Sequence, residues 1–272
     1  MKIKHLITTI STLAIIALTV PAFAHFQMIY TPESALNKGG KIPLAIVFTH
    51  PFEAGHTMDM GTPEQFFVMR SRGENTPKKA DLLSTLKPIK WTSLTNAGAA
   101  YETEYSARGG DHIFCLVPAP YYEAGEDAYI QQSTKMIVNV GGEPGAWSEP
   151  IGLDCEIVPL CKPYDRWTGN VFQGKVLFKG KPVAGAEIEI EFLNHQPLLD
   201  KKAFAKEAAA VAPQDAFVLQ TILADDNGVF TFGIPKAGWW GFAALGLDPD
   251  GSFKDKECSR DAVIWIQAKD MK

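Results

Sequence analysis

Short runs of alternating apolar and polar residues, separated by turn residues, constrain the fold of this 272-residue chain more than any other feature. Glycine-rich turns separate several of these runs, at 37–40, 108–111 and 141–144. Alternation with a period of two is typical of strands that bury one face, and short strands at this spacing predict an antiparallel sandwich. The runs of the first half are Lys41–Phe48, Gln65–Arg70, Tyr101–Ala107, His112–Val117 and Thr134–Val140.

The second half continues in the same way. In Ala186–Phe192 the alternation predicts a charged outer face that carries Glu187, Glu189 and Glu191. Ala203–Ala210 has the composition of a short helix inside an insertion, and the sequence leaves open whether that helix forms. The remaining predicted strands are Asn170–Phe178, Phe217–Leu223, Val229–Ile234, Gly238–Leu245 and Ala262–Ala268.

The length of the chain predicts two domains. We place their joint in the segment Leu160–Tyr164, which contains Lys162-Pro163 and lies between two strand-rich regions. The predicted fold is therefore all-β, with two consecutive β-sandwich domains. An immunoglobulin-like sandwich would span residues 25–160, and a second sandwich would span residues 165–272.

Residues 1–24 have the features of a secretory signal peptide. Lys2 and Lys4 precede an apolar stretch over Leu6–Val20, and Ala22-Phe23-Ala24 matches a cleavage site. No later segment reaches the roughly 20 apolar residues of a membrane-spanning helix, so we expect no membrane insertion after cleavage. These signals predict a periplasmic protein that begins at His25.

Charge and motifs argue against several classes of function. The formal net charge is -5, which is unfavourable for nucleic-acid binding because that requires a basic field. The chain contains none of the G-x-S-x-G, P-loop or G-x-G-x-x-G motifs. The sequence therefore predicts a protein that is not an enzyme.

The cysteines leave their pairing open. An exported chain with four cysteines has three possible full pairings, and the alternatives are a structural bridge or buried thiols. No C-x-x-C motif is present, which disfavours a zinc ribbon or a thioredoxin-type site. The four are Cys115, Cys155, Cys161 and Cys258.

Histidines offer the strongest candidate chemistry. After cleavage, His25 would present its α-amine and its ring Nδ1, which together can chelate one metal ion. The segment Thr49–Met60 adds His50 and His56, with Glu53 between them. Imidazole and amine nitrogens suit Ni²⁺, Co²⁺ and Cu²⁺. We therefore predict a metal site formed by His25, His50, His56 and Glu53, with Met58 or water as other candidate ligands.

Other polar and aromatic residues have simpler interpretations. His112 and His195 are expected to be structural, and the acidic stretch Pro120–Tyr129 is expected to be a solvated loop rather than a hard-cation site. Trp239 and Trp240 are expected to pack in a core, whereas a carbohydrate-binding module would expose them on a surface.

Several motifs resemble one exported family of unknown function. They are A-H-F-x-M-I-x-x-P from residue 24, T-H-P-F-E-x-G-x-x-M-D-M from residue 49, and A-P-Y-Y-E-x-x-E-D from residue 119. In the second half, Asn170–Glu191, Ala224–Phe232 and Pro235–Leu245 are similar to the same family. That family is often described as the periplasmic component of nickel/cobalt uptake transporters of the energy-coupling-factor type. The second half also resembles transthyretin-like or carboxypeptidase-regulatory-like sandwiches.

This resemblance implies a periplasmic accessory protein that binds Ni²⁺ or Co²⁺ and delivers it to a membrane nickel/cobalt permease complex. By this resemblance, His25 and His50 are the positions expected to bind the metal, whereas His56 departs from the residue type expected in that loop. Two other functions stay open on the sequence: a copper-binding protein or oxidase with an N-terminal histidine chelate, and a structural interaction module that binds no metal. Since imidazole binds metal only when neutral, we expect affinity to fall below about pH 6.

Overall fold

The computed structural model describes residues 25–271, and the predicted signal peptide over residues 1–24 lies outside the described residues. The described chain forms strands and two single 3-10 turns, Leu83–Thr85 and Asp215–Phe217, with no α-helix among its described residues. The all-β prediction is therefore confirmed. Among residues 25–271, no helix has the length and apolar character needed to cross a membrane.

Twenty-two strands are numbered here in chain order. Those that precede residue 160 are β1 Phe26–Tyr30, β2 Ala35–Leu36, β3 Gly40–Thr49, β4 Gln65–Ser71, β5 Lys78–Asp81, β6 Lys87–Thr92, β7 Ala97–Ala107, β8 Gly110–Val117, β9 Tyr121–Glu123, β10 Ala128–Val140 and β11 Cys155–Pro159. Those that follow are β12 Arg166–Trp167, β13 Val171–Phe178, β14 Lys181–Pro182, β15 Glu187–Phe192, β16 His195–Leu198, β17 Ala203–Ala208, β18 Leu219–Leu223, β19 Val229–Gly233, β20 Gly238–Ala244, β21 Ser252–Phe253 and β22 Lys256–Lys269.

The strands assemble into three sheets. A six-stranded sheet has the order β1-β3-β7-β6-β17-β16, and a four-stranded sheet joins β11, β13, β14 and β19. The twelve-stranded sheet follows the path β18-β15-β20-β22-β10-β8-β4-β5, with four short strands attached. β10 and β22 pair in parallel from Tyr129↔Cys258 to Met136↔Trp265, so strands from both halves of the chain share this sheet. The predicted domain joint falls between β11 and β12 and stays a prediction.

The twelve-stranded sheet is the middle layer of two β-sandwiches. On β22, Val263 and Trp265 pack in the core shared with the six-stranded sheet, while Ile264 and Ile266 pack in the core shared with β13 and β19. A strand that is buried on both faces is expected to have a continuous apolar sequence, and Ala262–Ile266 has one. Trp239 and Trp240 are only 5% and 3% exposed, as expected for packing residues, so they do not form a carbohydrate-binding surface.

The structure decides two local features of the second half, the conformation of Ala203–Ala208 and the outer face of β15. Ala203–Ala208 forms strand β17 rather than a helix, because β16 and β6 supply strand partners on its two sides. The outer face predicted for β15 is wrong at Glu191, which is 2% exposed and accepts a hydrogen bond from a loop of the first half.

The four cysteines are free thiols. Cys115, Cys155 and Cys258 are buried, and Cys161 is half-buried. Burial raises the pKa of the Cys115 thiol to about 12, despite the opposing charge of Lys135. The structure therefore fits the buried-thiol alternative better than a structural bridge.

Candidate metal site

The register of β1 against β3 brings the two principal candidate histidines together. Phe26 pairs with Thr49 in this antiparallel ladder, and the pairing continues through Tyr30↔Ala45. Extending the same register by one residue places His25 opposite His50. Directly opposite residues in an antiparallel pair share a face and bring their Cβ atoms to about 4.5–5.5 Å. The ring centroids of His25 and His50 are 4.6 Å apart, with an interplanar angle of 49°.

A carboxylate from another strand contacts His25. The Nε2 atom of His25 lies 3.2 Å from Oε2 of Glu123, on β9. A neutral imidazole with its hydrogen on Nε2 can donate that hydrogen to a carboxylate oxygen. In that tautomer Nδ1, the ring nitrogen nearer to the backbone, keeps its lone pair and can bind a metal.

The electrostatic surroundings favour neutral His25. Burial lowers the pKa of His25 below its usual value, the Glu123 carboxylate opposes that shift, and the charge of His56 adds to it. The His25 side chain is 17% exposed, and it packs against Phe48 with a ring separation of 5.6 Å. A neutral imidazole near a surface is suited to metal binding, since no proton must first be displaced from the ligand nitrogen.

The loop that carries His50 is held at both ends. Its far end closes through an isolated bridge between Thr49 and Thr57, and Asn96 receives a hydrogen bond from the Thr57 nitrogen at 2.7 Å. Ala54 has a φ of 43°, a left-handed conformation that lets the chain reverse within the loop. These contacts fix the backbone immediately after His50.

Glu191 anchors the same loop from the second half of the chain. The backbone nitrogen of Phe52 donates to Oε1 of Glu191 at 2.6 Å, and the nitrogen of Asn194 donates to the carbonyl of Pro51 at 3.3 Å. Burial raises the pKa of Glu191 well above its usual range, although the hydrogen bond from Phe52 opposes that shift.

The other predicted site residues lie near the histidine pair in different ways. His56 is exposed, and its positive charge lowers the pKa of His25. Glu53 is exposed on the same loop, and it flanks Gly55 together with His50. A Cβ built on Gly55 would lie 3.6 Å from the Cβ of Glu53 and 3.7 Å from the Cβ of His50. Met58 is 1% exposed and packs in the core, which argues against a role as a ligand. Within residues 25–271, no three His, Cys, Asp or Glu side chains form a ready-made metal-binding group.

Two relevant residues were missed by the sequence interpretation. Glu123 belongs to the stretch that was predicted to be a solvated loop, yet it contacts His25. Its position in the A-P-Y-Y-E motif was the available signal. Glu191 was predicted to lie on an outer face, and the alternation of its strand gave no sign of the loop that covers it.

The two histidines predicted to be structural are held by hydrogen bonds inside the protein. Nε2 of His112 donates to the carbonyl of Arg108 at 2.6 Å, so Nδ1 accepts from the Tyr105 hydroxyl at 3.1 Å. Nδ1 of His195 donates to the carbonyl of Ala205 at 2.9 Å. Both side chains are buried, as expected for structural residues.

Solved structures give only weak similarities. The D0-D1 domain of intimin has a TM-score of 0.20 at 11% identity and covers 90% of this chain and 100% of that chain. Murine CEACAM1b has a TM-score of 0.22 at 9% identity, covering 90% and 99%. Elastase-activated Escherichia coli alpha-2-macroglobulin has a TM-score of 0.23 at 12% identity, covering 88% and 23%. TM-scores this low do not define a shared topology.

The sequence comparisons give a family without an activity. No curated protein matches the chain. A family model described as Domain of unknown function (DUF4198) matches residues 22–248, a range that includes every residue of the candidate site, and nothing in that description links it to nickel or cobalt transport. The chain therefore belongs to the family of the domain of unknown function DUF4198.

Proposed function

We propose that this protein is exported to the periplasm, binds a divalent transition metal, Ni²⁺ or Co²⁺, and delivers it to a membrane nickel/cobalt permease complex. The observation that carries this proposal is the 4.6 Å separation of the His25 and His50 rings, at the end of the chain that signal cleavage would expose. The proposed mechanism is capture and transfer, without catalysis.

The geometry of the pair suits a single ion. Metal–nitrogen bonds of about 2.0–2.1 Å that meet at a right angle would separate two imidazole centroids by roughly 4.5 Å, and square-planar or tetragonal nitrogen sites favour Ni²⁺ and Cu²⁺. After cleavage, the α-amine and Nδ1 of His25 would form a chelate, and His50 would supply a third nitrogen. His56 or Glu53 would complete the coordination.

Glu123 supports this arrangement from outside the ligand set. Metal-binding histidines commonly donate their second ring nitrogen to a carboxylate, which fixes the tautomer and raises ligand basicity. The contact between Nε2 of His25 and Glu123 has this form. With its hydrogen on Nε2, His25 would offer Nδ1, the nitrogen that can chelate together with the α-amine, to the metal.

The test is calorimetric titration of two forms of the metal-free protein with Ni²⁺, Co²⁺, Cu²⁺ and Zn²⁺. One form begins at His25, and the matched control carries one additional alanine before His25. We expect one Ni²⁺ or Co²⁺ per chain in the first form and at least tenfold weaker binding in the control, because the control lacks the free amine beside the ring. Equal affinities would exclude the amine as a ligand, and no stoichiometric binding in either form would favour an interaction module.

Copper is a second candidate cargo because the same three nitrogens are well suited to Cu²⁺, which generally binds nitrogen sites more tightly than Ni²⁺. Electron paramagnetic resonance of the copper-loaded protein, combined with an assay for oxidation of added substrates, distinguishes a copper protein or oxidase from nickel capture. Genes for a nickel or cobalt permease beside the gene for this chain would support delivery to a transporter.

A further inference from the structure

An open groove beside β5 concentrates positive charge in an acidic protein. The groove has a volume of about 650 Å³ and is lined by the side of β4 and β5 that faces Tyr105. The chain has a formal net charge of -5. Among the described residues, those that line the groove include no Asp or Glu and four cationic residues: Arg70, Arg72, Lys78 and Lys79.

Two of these cations face each other without a counter-ion. Arg70 on β4 is directly opposite Lys78 on β5 in the antiparallel register. Like charges directly opposite one another destabilise a strand pair. Arg72 is paired with Glu143, but within residues 25–271 neither Arg70 nor Lys78 takes part in an ion pair.

The next residue in this row adds no negative charge. His112 on β8 is opposite Arg70 on its other side, so Lys78, Arg70 and His112 lie in one row across three strands. The hydrogen bond from Nε2 of His112 to a backbone carbonyl and the hydroxyl of Tyr105 at Nδ1 are compatible with neutral imidazole. The charge of Arg70 is felt at Tyr105, where it lowers the pKa against the effect of burial.

Protection of a sheet edge explains only part of this arrangement. β5 is at the end of the twelve-stranded sheet, and lysines on an edge strand discourage pairing with another chain. Lys79 also packs its ammonium over the Phe67 ring, 3.7 Å from the centroid. Arg70, however, lies on β4, which has a strand partner on each side, so edge protection gives no reason for its charge.

We propose that this groove binds a small oxyanion ligand that carries phosphate or carboxylate groups, held by Arg70 and Lys78. The guanidinium of an arginine can bind two oxygens of such a group at once, and the ammonium of a lysine adds a point charge. The hydroxyl of Thr76, which also lines the groove, supplies a neutral donor. The volume is within the usual range for small-molecule sites. This site uses residues different from those of the proposed metal site.

The test is calorimetric titration of chelator-treated, metal-free full chain with inorganic phosphate and with citrate as separate probes. The double variant R70Q/K78Q is compared with K181Q/K206Q, which removes two exposed lysines elsewhere and changes the net charge equally. We expect at least one probe to bind, with affinity that falls as salt rises. The expected loss is at least tenfold in R70Q/K78Q and less than about twofold in the control, since only the former removes charge from the groove.

The phosphate and citrate arms identify which oxyanion group the groove prefers. Circular dichroism verifies folding, and the single variant K78Q provides a milder change, for which we expect an intermediate loss. Absence of binding by both probes up to about 10 mM would overturn the proposal. Unchanged binding in R70Q/K78Q would also overturn it, and self-association of that variant would then assign the lysines to edge protection.

Discussion

Two pairs of histidines in this protein have opposite surroundings. His112 and His195 lie inside the fold, and each donates a ring hydrogen to a backbone carbonyl, at 2.6 and 2.9 Å. His25 and His50 instead lie at the matching ends of β1 and β3, where their rings approach to 4.6 Å and a carboxylate holds one of them. The first pair satisfies internal hydrogen bonds, and the second pair places two imidazoles beside one surface.

This difference lies in the neighbouring groups rather than in burial. His50 is 9% exposed and His195 is 6% exposed, so their exposed fractions are nearly the same. What distinguishes them is the neighbouring side chain. A backbone carbonyl fixes a histidine in place, whereas a second imidazole across a strand pair creates a set of donors for one ion.

Replacing His50 is expected to have the largest effect on metal binding. H50A removes the second imidazole, and we expect Ni²⁺ affinity to fall by roughly 100-fold in calorimetry, equivalent to about 2.7 kcal/mol. The matched control is H195A, which removes a buried histidine from the other pair and is expected to bind Ni²⁺ with unchanged affinity. Equal Ni²⁺ affinities for H50A and the unsubstituted chain would contradict the proposal that His50 binds the metal.

Replacing His112 is expected to reduce stability instead. H112A leaves the Arg108 carbonyl and the Tyr105 hydroxyl without their imidazole partner and creates a cavity. We expect the free energy of unfolding to fall by roughly 2–4 kcal/mol in urea denaturation. Nickel affinity of the folded protein should not change. A loss of nickel affinity comparable to that of H50A would show that the two pairs do not differ in role.

Removing the charge on Glu123 is expected to lower Ni²⁺ affinity less than removing His50 does. E123Q retains the shape of the side chain but weakens the hold on Nε2 of His25, so we expect roughly tenfold lower Ni²⁺ affinity. The carboxylate raises the pKa of His25 against burial, and its loss should lower that pKa further. Nuclear magnetic resonance titration of the His25 ring, with E126Q as the matched control, measures the shift. An upward shift of the pKa in E123Q would contradict this account.

The anchor of the His50 loop is expected to affect stability rather than metal affinity, in a way that depends on pH. Burial raises the pKa of Glu191 in the folded protein above its ordinary value of 4.5, so the folded state holds a proton more tightly than the unfolded state. The unsubstituted chain therefore gains stability as the pH falls from the folded pKa towards 4.5. E191Q keeps the acceptor for Phe52 without a titrating group, and we expect it to be more stable at pH 7 by roughly 1–3 kcal/mol.

That advantage of E191Q should disappear as the pH falls to about 4.5, the pKa of the unfolded carboxyl. Urea denaturation at pH 7 and at pH 4.5 measures it, and E187Q, which replaces an exposed glutamate on the same strand, is the control. A difference that stays constant between the two pH values would exclude titration of Glu191 as its cause.

The sequence predicted the architecture better than it predicted the site. Period-two alternation located β13, which buries one face, and it also located β3, in which every residue from Leu44 to Thr49 is buried. It left Ala203–Ala208 open, where two strand partners override helix propensity. It misassigned Glu191, where a loop distant in sequence covers the strand. Glu123 was missed as a partner of His25 for the same reason: its contact joins segments about 100 residues apart, and local patterns do not encode such contacts.

X-ray absorption spectroscopy of the nickel-loaded protein that begins at His25 tests the central claim most directly. We expect a first shell of nitrogen and oxygen at about 2.0–2.1 Å, with outer-shell scattering from two imidazoles in the unsubstituted chain and from one in H50A. An unsubstituted spectrum that fits with one imidazole or none, or that does not change in H50A, would show that His25 and His50 do not share the ion.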